Sequence, residues 1–283
     1  MILNQSVLMN SVISIKNEVY QGAINKLSLF DLETPADWNG KLIVFIHGYM
    51  GFKDWGCWNL MQSYFVENNY GFLKYNVSHN GGTLDNPIDF EDLNSFAKNS
   101  YSKEVLDFEA ILEMIQKKFE ITPEIHLIGH SRGGGIALLQ SENKHISKIC
   151  SWAGISSVGS RFPKGELLEQ WKTEEIRYHQ NRRTKQAMPH LFDQYLDYTS
   201  NKDRLDIESY CKSNKKETLV IHGDNDASIK VIEGESLANW LNVDLTIIKG
   251  TQHTFDASQP WTKTSMPDAL KEACELTLKF LNT

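Results

Sequence analysis

The chain has few cysteines, no long apolar run and no excess of positive charge, and each shortage removes a class of protein. Cys57, Cys150, Cys211 and Cys274 stand far apart and make no C-x-x-C pair. That argues against a disulfide framework or a zinc site and for free thiols in a reducing compartment. No stretch approaches the roughly 18 consecutive apolar residues that a membrane helix needs. Residues 1–20 lack a basic segment followed by an apolar core and a small-residue cleavage site, so a soluble cytoplasmic protein is expected. The formal net charge of −7 opposes attraction to phosphate backbones and anionic lipid, which sets nucleic acid and membrane surfaces aside as partners. Gly133-Gly134-Gly135 lacks the G-x-G-x-x-G spacing of a dinucleotide site, and neither cofactor nor metal is expected. Oligomeric state leaves no trace in the sequence.

What is present suits one α/β domain carrying an insertion. With 283 residues, 41% of them hydrophobic, the chain holds enough apolar material for a sizeable core. Short β-type runs at Ser11–Ile15 and Leu27–Phe30 point to an antiparallel opening within residues 6–30. Leu42–Ile46 is a continuous apolar run, the pattern of a parallel strand buried on both faces. Gly71–Val77, Ile125–Ile128, Ile149–Ala153, Thr218–Ile221 and Val243–Ile248 repeat it. Between them, Ser102–Phe119, Val231–Leu241 and Asp268–Leu281 carry helical periodicity. Strands alternating with helices imply right-handed crossovers and a mostly parallel sheet with helices on both faces. Residues 156–215 break the rhythm, being rich in charge and aromatics without a strand-like run. They are expected to be a helical cap insertion between core segments 1–155 and 216–283.

Gly129-His130-Ser131-Arg132-Gly133 matches G-x-S-x-G, which is weak alone. It gains weight by following the apolar run Ile125–Ile128 and preceding a helix start, the strand–turn–helix setting of a nucleophile elbow. A serine hydroxyl needs a base to take its proton, and the base needs an orienting carboxylate. With this elbow the chain order is serine, acid, histidine. His253 is the expected base, since it alone of the later histidines lies in a loop after the last strand run. His145 falls in a surface connection, His179 and His190 in the insertion, and His222 beside the acid turn it is expected to shape. In His222-Gly223-Asp224-Asn225-Asp226, Asp226 is placed to leave the turn toward His253, and Asp224 to hold the turn. Asp256 is a remote third candidate.

An oxyanion also needs donors. The backbone N–H of Arg132 is one, and the loop His47-Gly48-Tyr49-Met50-Gly51 offers Tyr49, with Met50 as alternate; His47 reads as structural. Met50, His79 and Trp171 are the candidates for substrate contact. His79-Asn80-Gly81-Gly82 follows the second strand run, and Trp171 with the insertion's tyrosines could line an aromatic pocket or simply pack. Arg161, Lys164, Lys172, Arg177, Arg182, Arg183 and Lys185 outnumber four glutamates between 161 and 185, a pattern that could draw an anionic group but more often marks a solvated helix face.

With the elbow, the HGYMG loop, the HGDND turn and the late histidine together, the chain resembles the α/β-hydrolase superfamily from about residue 40 onward, less the insertion. It looks most like the small-esterase branch that includes dienelactone-hydrolase-like and cinnamoyl-esterase-like proteins. The resemblance implies the α/β-hydrolase fold and cleavage of a small-molecule ester through an acyl-enzyme, with Tyr49 and Arg132 as oxyanion amides and the insertion as a substrate-contacting cap. Three departures stand out. Ser131 occupies the place where dienelactone hydrolases carry cysteine, Gln252 precedes His253 where relatives often have glycine, and the cap is long. A peptidase, amidase or thioesterase using the same three residues is the competing enzymatic reading. A non-catalytic binding protein that keeps the fold is the third. A haloalkane dehalogenase is set aside because it needs a carboxylate nucleophile.

Overall fold

A computed structural model describes residues 12–119 and 123–283. Residues 6–11 of the expected antiparallel opening, and more than half of the segment that would carry a leader, lie outside the described residues. The first half runs β1 (Ile13–Gln21), β2 (Leu27–Thr34), β3 (Lys41–Ile46), α1 (Trp58–Glu67), β4 (Gly71–Tyr75), α2 (Leu93–Ala97) and α3 (Tyr101–Lys118). Then come β5 (Glu124–His130), α4 (Arg132–Leu138), β6 (Ile146–Trp152), α5 (Glu166–Glu174), β7 (Ile176–Gln180), β8 (Ala187–Leu191), α6 (Asp193–Ser200) and α7 (Ile207–Ser213). The chain closes with β9 (Thr218–Gly223), α8 (Val231–Leu241), β10 (Leu245–Ile248) and α9 (Asp268–Leu281).

Among the described residues eight strands form one sheet in the order β1-β2-β4-β3-β5-β6-β9-β10. β1 and β2 pair antiparallel, β2 pairs antiparallel with β4, and all pairs beyond are parallel. β3 shows why its apolar run is unbroken. Alternate side chains of a strand point to opposite faces. Leu42, Val44 and Ile46 pack in one core with Val105, Phe108 and Ile111 of α3 and Leu237 of α8. Ile43 and Phe45 pack in the other with Met61 and Phe65 of α1 and Leu270 and Cys274 of α9. Parallel central strands bring their C-terminal ends to one edge of the sheet, where the loops after β3, β5, β9 and β10 converge.

Residues 156–215 hold α5, α6 and α7, and they also hold an antiparallel hairpin, β7 with β8. The sequence pattern predicts no strand there. Ile176-Arg177-Tyr178-His179 alternates polar and apolar residues too weakly to register as a strand, and the hairpin lies outside the main sheet. Aromatic residues of this stretch join the core that also holds Val105 and Phe108 of α3: Phe162 stacks on Tyr198 at 5.1 Å and on Trp171 at 6.2 Å, with Phe192 edge-on to Trp171 at 5.4 Å. The four cysteines are free and buried. Among the described residues no helix is long and apolar enough to cross a membrane, and no group of histidine, cysteine or carboxylate side chains could hold a metal ion.

Candidate active site

Ser131 stands between β5 and α4 at φ 60° and ψ −118°. A non-glycine residue held there costs on the order of 1–3 kcal/mol, which the surroundings must supply. They do so through backbone bonds: Ser131 N–H donates to Trp152 O at 2.9 Å, and Gly134 N–H donates to Ser131 O at 3.0 Å. The flanking glycines follow from crowding. A Cβ at Gly133 would lie 2.1 Å from Ile46 O, and one at Gly129 2.2 Å from Gly133 O. Both obstacles are backbone, which no rotamer change can move aside.

The loop after β9 brings Asp226 to the same edge. Its Oδ1 accepts the N–H groups of Ser228 at 2.8 Å and Ile229 at 2.9 Å, which fixes the carboxylate plane. Its Oδ2 lies 2.7 Å from His253 Nδ1. Burial works to raise this carboxyl, but the His222 and His253 imidazoles that face it and the backbone N–H of Ile229 outweigh it and hold Asp226 well below the usual carboxylate range. An ionised Asp226 can only accept, so His253 Nδ1 carries the proton and Nε2 presents a lone pair. That lone pair faces Ser131 Oγ at 2.9 Å, and the serine hydroxyl donates to it. The structure therefore brings Ser131, His253 and Asp226 together in one hydrogen-bonded line.

The residues beside this line hold it. His130 donates from Nε2 to the backbone O of His253 at 2.9 Å. Burial pushes the His130 imidazole down to about 3, so it stays neutral at ordinary pH. His222 donates from Nε2 to Ile229 O at 2.8 Å and lies 3.4 Å from Asp226 Oδ2, shaping the acid turn as the sequence suggested. Asp224 accepts Gly250 N–H at 2.6 Å, and Asp256 accepts the Thr251 hydroxyl at 3.1 Å. Both secure the loop bearing His253, and neither touches its ring.

The loop after β3 passes close to the serine: a Cβ at Gly48 would lie 2.9 Å from Ser131 Cβ. Among the described residues neither the Tyr49 nor the Arg132 backbone N–H has an acceptor. His47 is structural, donating from Nδ1 to Gly48 O at 2.9 Å and accepting Val77 N–H on Nε2 at 3.1 Å. Farther along, the loop is clamped by a buried four-charge cluster that sequence reasoning does not reveal. Lys53 Nζ meets Asp31 at 2.7 Å and Asp54 at 2.6 Å, while Lys74 Nζ reaches the same two carboxylates. Two cations against two anions leave the cluster neutral, and each charge is paired.

Two cavities meet at this point. Tyr49, Ser131, His179, Ser228 and His253 line both. One, about 350 Å³, extends toward Tyr101, Arg132, Phe162, Arg177 and His190. The other, about 680 Å³, extends toward Met50, Trp55, Trp58, Arg182 and Gln259. Of the expected substrate contacts, only Met50 borders either of these two cavities. His79 is buried with its Nδ1 2.8 Å from Ser78 Oγ, and it lines neither space. Trp171 is buried against Phe162 and Phe192, its indole N–H donating to His190 O at 2.9 Å. Sequence reasoning names Arg177, Arg182 and Arg183 only within a basic run and sets His179 and His190 aside; the structure puts all five on the cavity walls, with Arg177 paired in register with His190 on the hairpin. The Tyr49 hydroxyl donates to His190 Nε2 at 2.8 Å, tying hairpin to loop.

Compared with other proteins, the chain matches no protein family by sequence profile, and no curated protein resembles it closely in sequence. Solved structures resemble it in shape. Est1E from Butyrivibrio proteoclasticus, also solved with ferulic acid bound, superposes with a TM-score of 0.69 at 17% identity, over 96% of this chain and 99% of that one. The esterase Pf2001 of Pyrococcus furiosus matches with a TM-score of 0.61 at 15% identity, over 100% and 96%. An acylaminoacyl peptidase of Pyrococcus horikoshii matches with a TM-score of 0.63 at 15% identity, over 96% of this chain but 42% of its own. Strand order, elbow and these likenesses agree: the chain has the α/β-hydrolase fold.

Proposed function

We propose that this chain is a serine hydrolase that cleaves carboxylic esters of small molecules through an acyl-enzyme. The observation that carries the reading is the unbroken line Asp226–His253–Ser131, at 2.7 and 2.9 Å, on a strained elbow facing two cavities. As Ser131 Oγ attacks the ester carbonyl, its proton passes to His253 Nε2. Asp226 holds the imidazole in the Nδ1–H tautomer and stabilises the imidazolium that forms. The backbone N–H groups of Arg132 and Tyr49 receive the developing oxyanion. The intermediate collapses, the imidazolium gives its proton to the departing alkoxide, and the acyl group stays on Ser131. Water, deprotonated by His253, then releases the acid by the same steps. The two cavities take the acyl and alcohol portions, and residues 156–215 act as the cap that closes over them.

An amide-cleaving reading rests on the likeness to the acylaminoacyl peptidase, which is one of fold. Turnover of short p-nitrophenyl esters, with matched p-nitroanilides and thioesters alongside, ranks the alternatives. Ser131→Ala should lose on the order of 10³-fold or more in kcat. Esterase activity unchanged in that variant would end the proposal.

A further inference from the structure

We propose that the site selects esters bearing a second, free carboxylate, and that Arg177 anchors this group in the smaller cavity. The inference rests on the esterase reading above and adds a substrate class to it. β7 alternates, so Arg177 and His179 share the face turned to the cavity, while Tyr178 is exposed. Three guanidinium groups reach the smaller cavity, and two are already answered. Arg132 donates to Glu104 Oε1 at 2.9 Å, and Arg161 to Glu233 Oε1 at 2.6 Å. Arg177 has no carboxylate partner among the described residues, and its Nε is buried without an acceptor. It is held in place by stacking, its Cζ 4.1 Å from the Trp171 ring centre.

No aspartate or glutamate lines the cavity. On the hairpin side, burial pushes His190 down to about 3 and also lowers His179, which disfavours charge on both. Arg177 is thus the one guanidinium on the wall it shares with Ser131 that lacks a carboxylate partner among the described residues, with Tyr101, Ile155 and Phe162 as apolar walls. A half-buried guanidinium without a counter-ion is costly, and a planar carboxylate matches its fork through two parallel hydrogen bonds. The walls suit a short apolar spacer between that carboxylate and the scissile ester.

The test uses two matched pairs, which separate a carboxylate on the acyl side from one on the alcohol side. The first compares mono-p-nitrophenyl glutarate with its neutral methyl ester. The second compares 4-carboxyphenyl butyrate with its neutral methyl ester. Each rate is normalised to hydroxide-catalysed hydrolysis. Charged hydrogen bonds of this kind should favour the anion by about tenfold to a hundredfold in kcat/KM, mostly through KM, in at least one pair. Arg177→Gln should bring that ratio to one or below, and Arg177→Lys should keep part of it. A neutral preference in both pairs, or a ratio unmoved by Arg177→Gln, overturns the proposal. Binding of mono-p-nitrophenyl glutarate to Ser131→Ala, weakened about tenfold or more by adding Arg177→Gln, reads the anchor without turnover. A wild-type chain inert to every ester but showing that binding difference would sink the esterase reading and leave the anion site standing; equal binding by both variants would overturn the anion site.

Discussion

Asp226→Asn is the substitution whose consequence the geometry defines most closely. The amide introduced at position 226 would keep an oxygen where Oδ1 now accepts two N–H groups at 2.8 and 2.9 Å, and those bonds fix which way the amide turns. The amide nitrogen then stands at the Oδ2 position, 2.7 Å from His253 Nδ1, and two donors face each other. The imidazole relieves this by moving its proton to Nε2, which leaves Nδ1 as the acceptor. Nε2–H then points at Ser131 Oγ and cannot take its proton. Where an aspartate of a serine triad has been replaced this way, kcat falls about 10⁴-fold, so a loss of about 10³–10⁴ is expected here, or roughly 4–5.5 kcal/mol of barrier. KM should move only a few-fold, because Asp226 borders neither cavity. The assay is steady-state hydrolysis of p-nitrophenyl acetate, with a thermal melt to show that the fold survives. Asp224→Asn, whose amide oxygen can still accept Gly250 N–H and which touches neither His253 nor Ser131, is the control expected to stay within tenfold of wild type. An Asp226→Asn enzyme within tenfold of wild type, beside a crippled Asp224→Asn, would refute the reasoning and reassign the acid.

Gly133→Ala should abolish folding, since its Cβ would lie 2.1 Å from Ile46 O; a soluble variant melting within a few degrees of wild type would contradict this. Trp171→Ala should cost about 3–5 kcal/mol by urea unfolding, as expected of a large buried side chain, and an unchanged midpoint would return Trp171 to the surface. Acid should destabilise the fold from about pH 6.5 downward, the usual imidazole pKa. Burial pushes His79 and His126 down to about 4 and His130 and His190 down to about 3, so the unfolded chain takes up protons that the folded chain refuses. Each contributes up to about 1.4 kcal/mol per pH unit between the two pKa values. Asp107, which burial pushes up to about 7, works in the opposite sense and offsets about one of the four. Urea midpoints measured from pH 7 to pH 5 should fall; a flat or rising series would contradict it.

The central strands were legible because burial on both faces forces an unbroken apolar run, as at Leu42–Ile46. The elbow was legible because a strained turn between crowded layers admits little but glycine at 129 and 133. Asp226 could be preferred over Asp224 from its place in the turn alone. The hairpin was not legible: its strands pair only with each other and mix Arg177 and His179 with Ile176 and Tyr178, so neither apolar run nor clean alternation marks them. Trp171 and His79 border neither cavity for a related reason. Composition marks a residue as aromatic or titratable, but which wall it faces depends on how the loop after β4 and residues 156–215 pack. The clamp of Lys53, Lys74, Asp31 and Asp54 was invisible because its members come from three separate segments, and only the paired strands bring them together.

The most direct measurement is covalent capture of the nucleophile. The wild-type chain is treated with a fluorophosphonate, and the adduct is located by intact mass and peptide mapping. One adduct per chain is expected, on Ser131, abolished in Ser131→Ala and slowed in His253→Ala by about the factor that turnover loses. Labelling at another serine, or an unlabelled chain that still hydrolyses p-nitrophenyl acetate, would contradict the account.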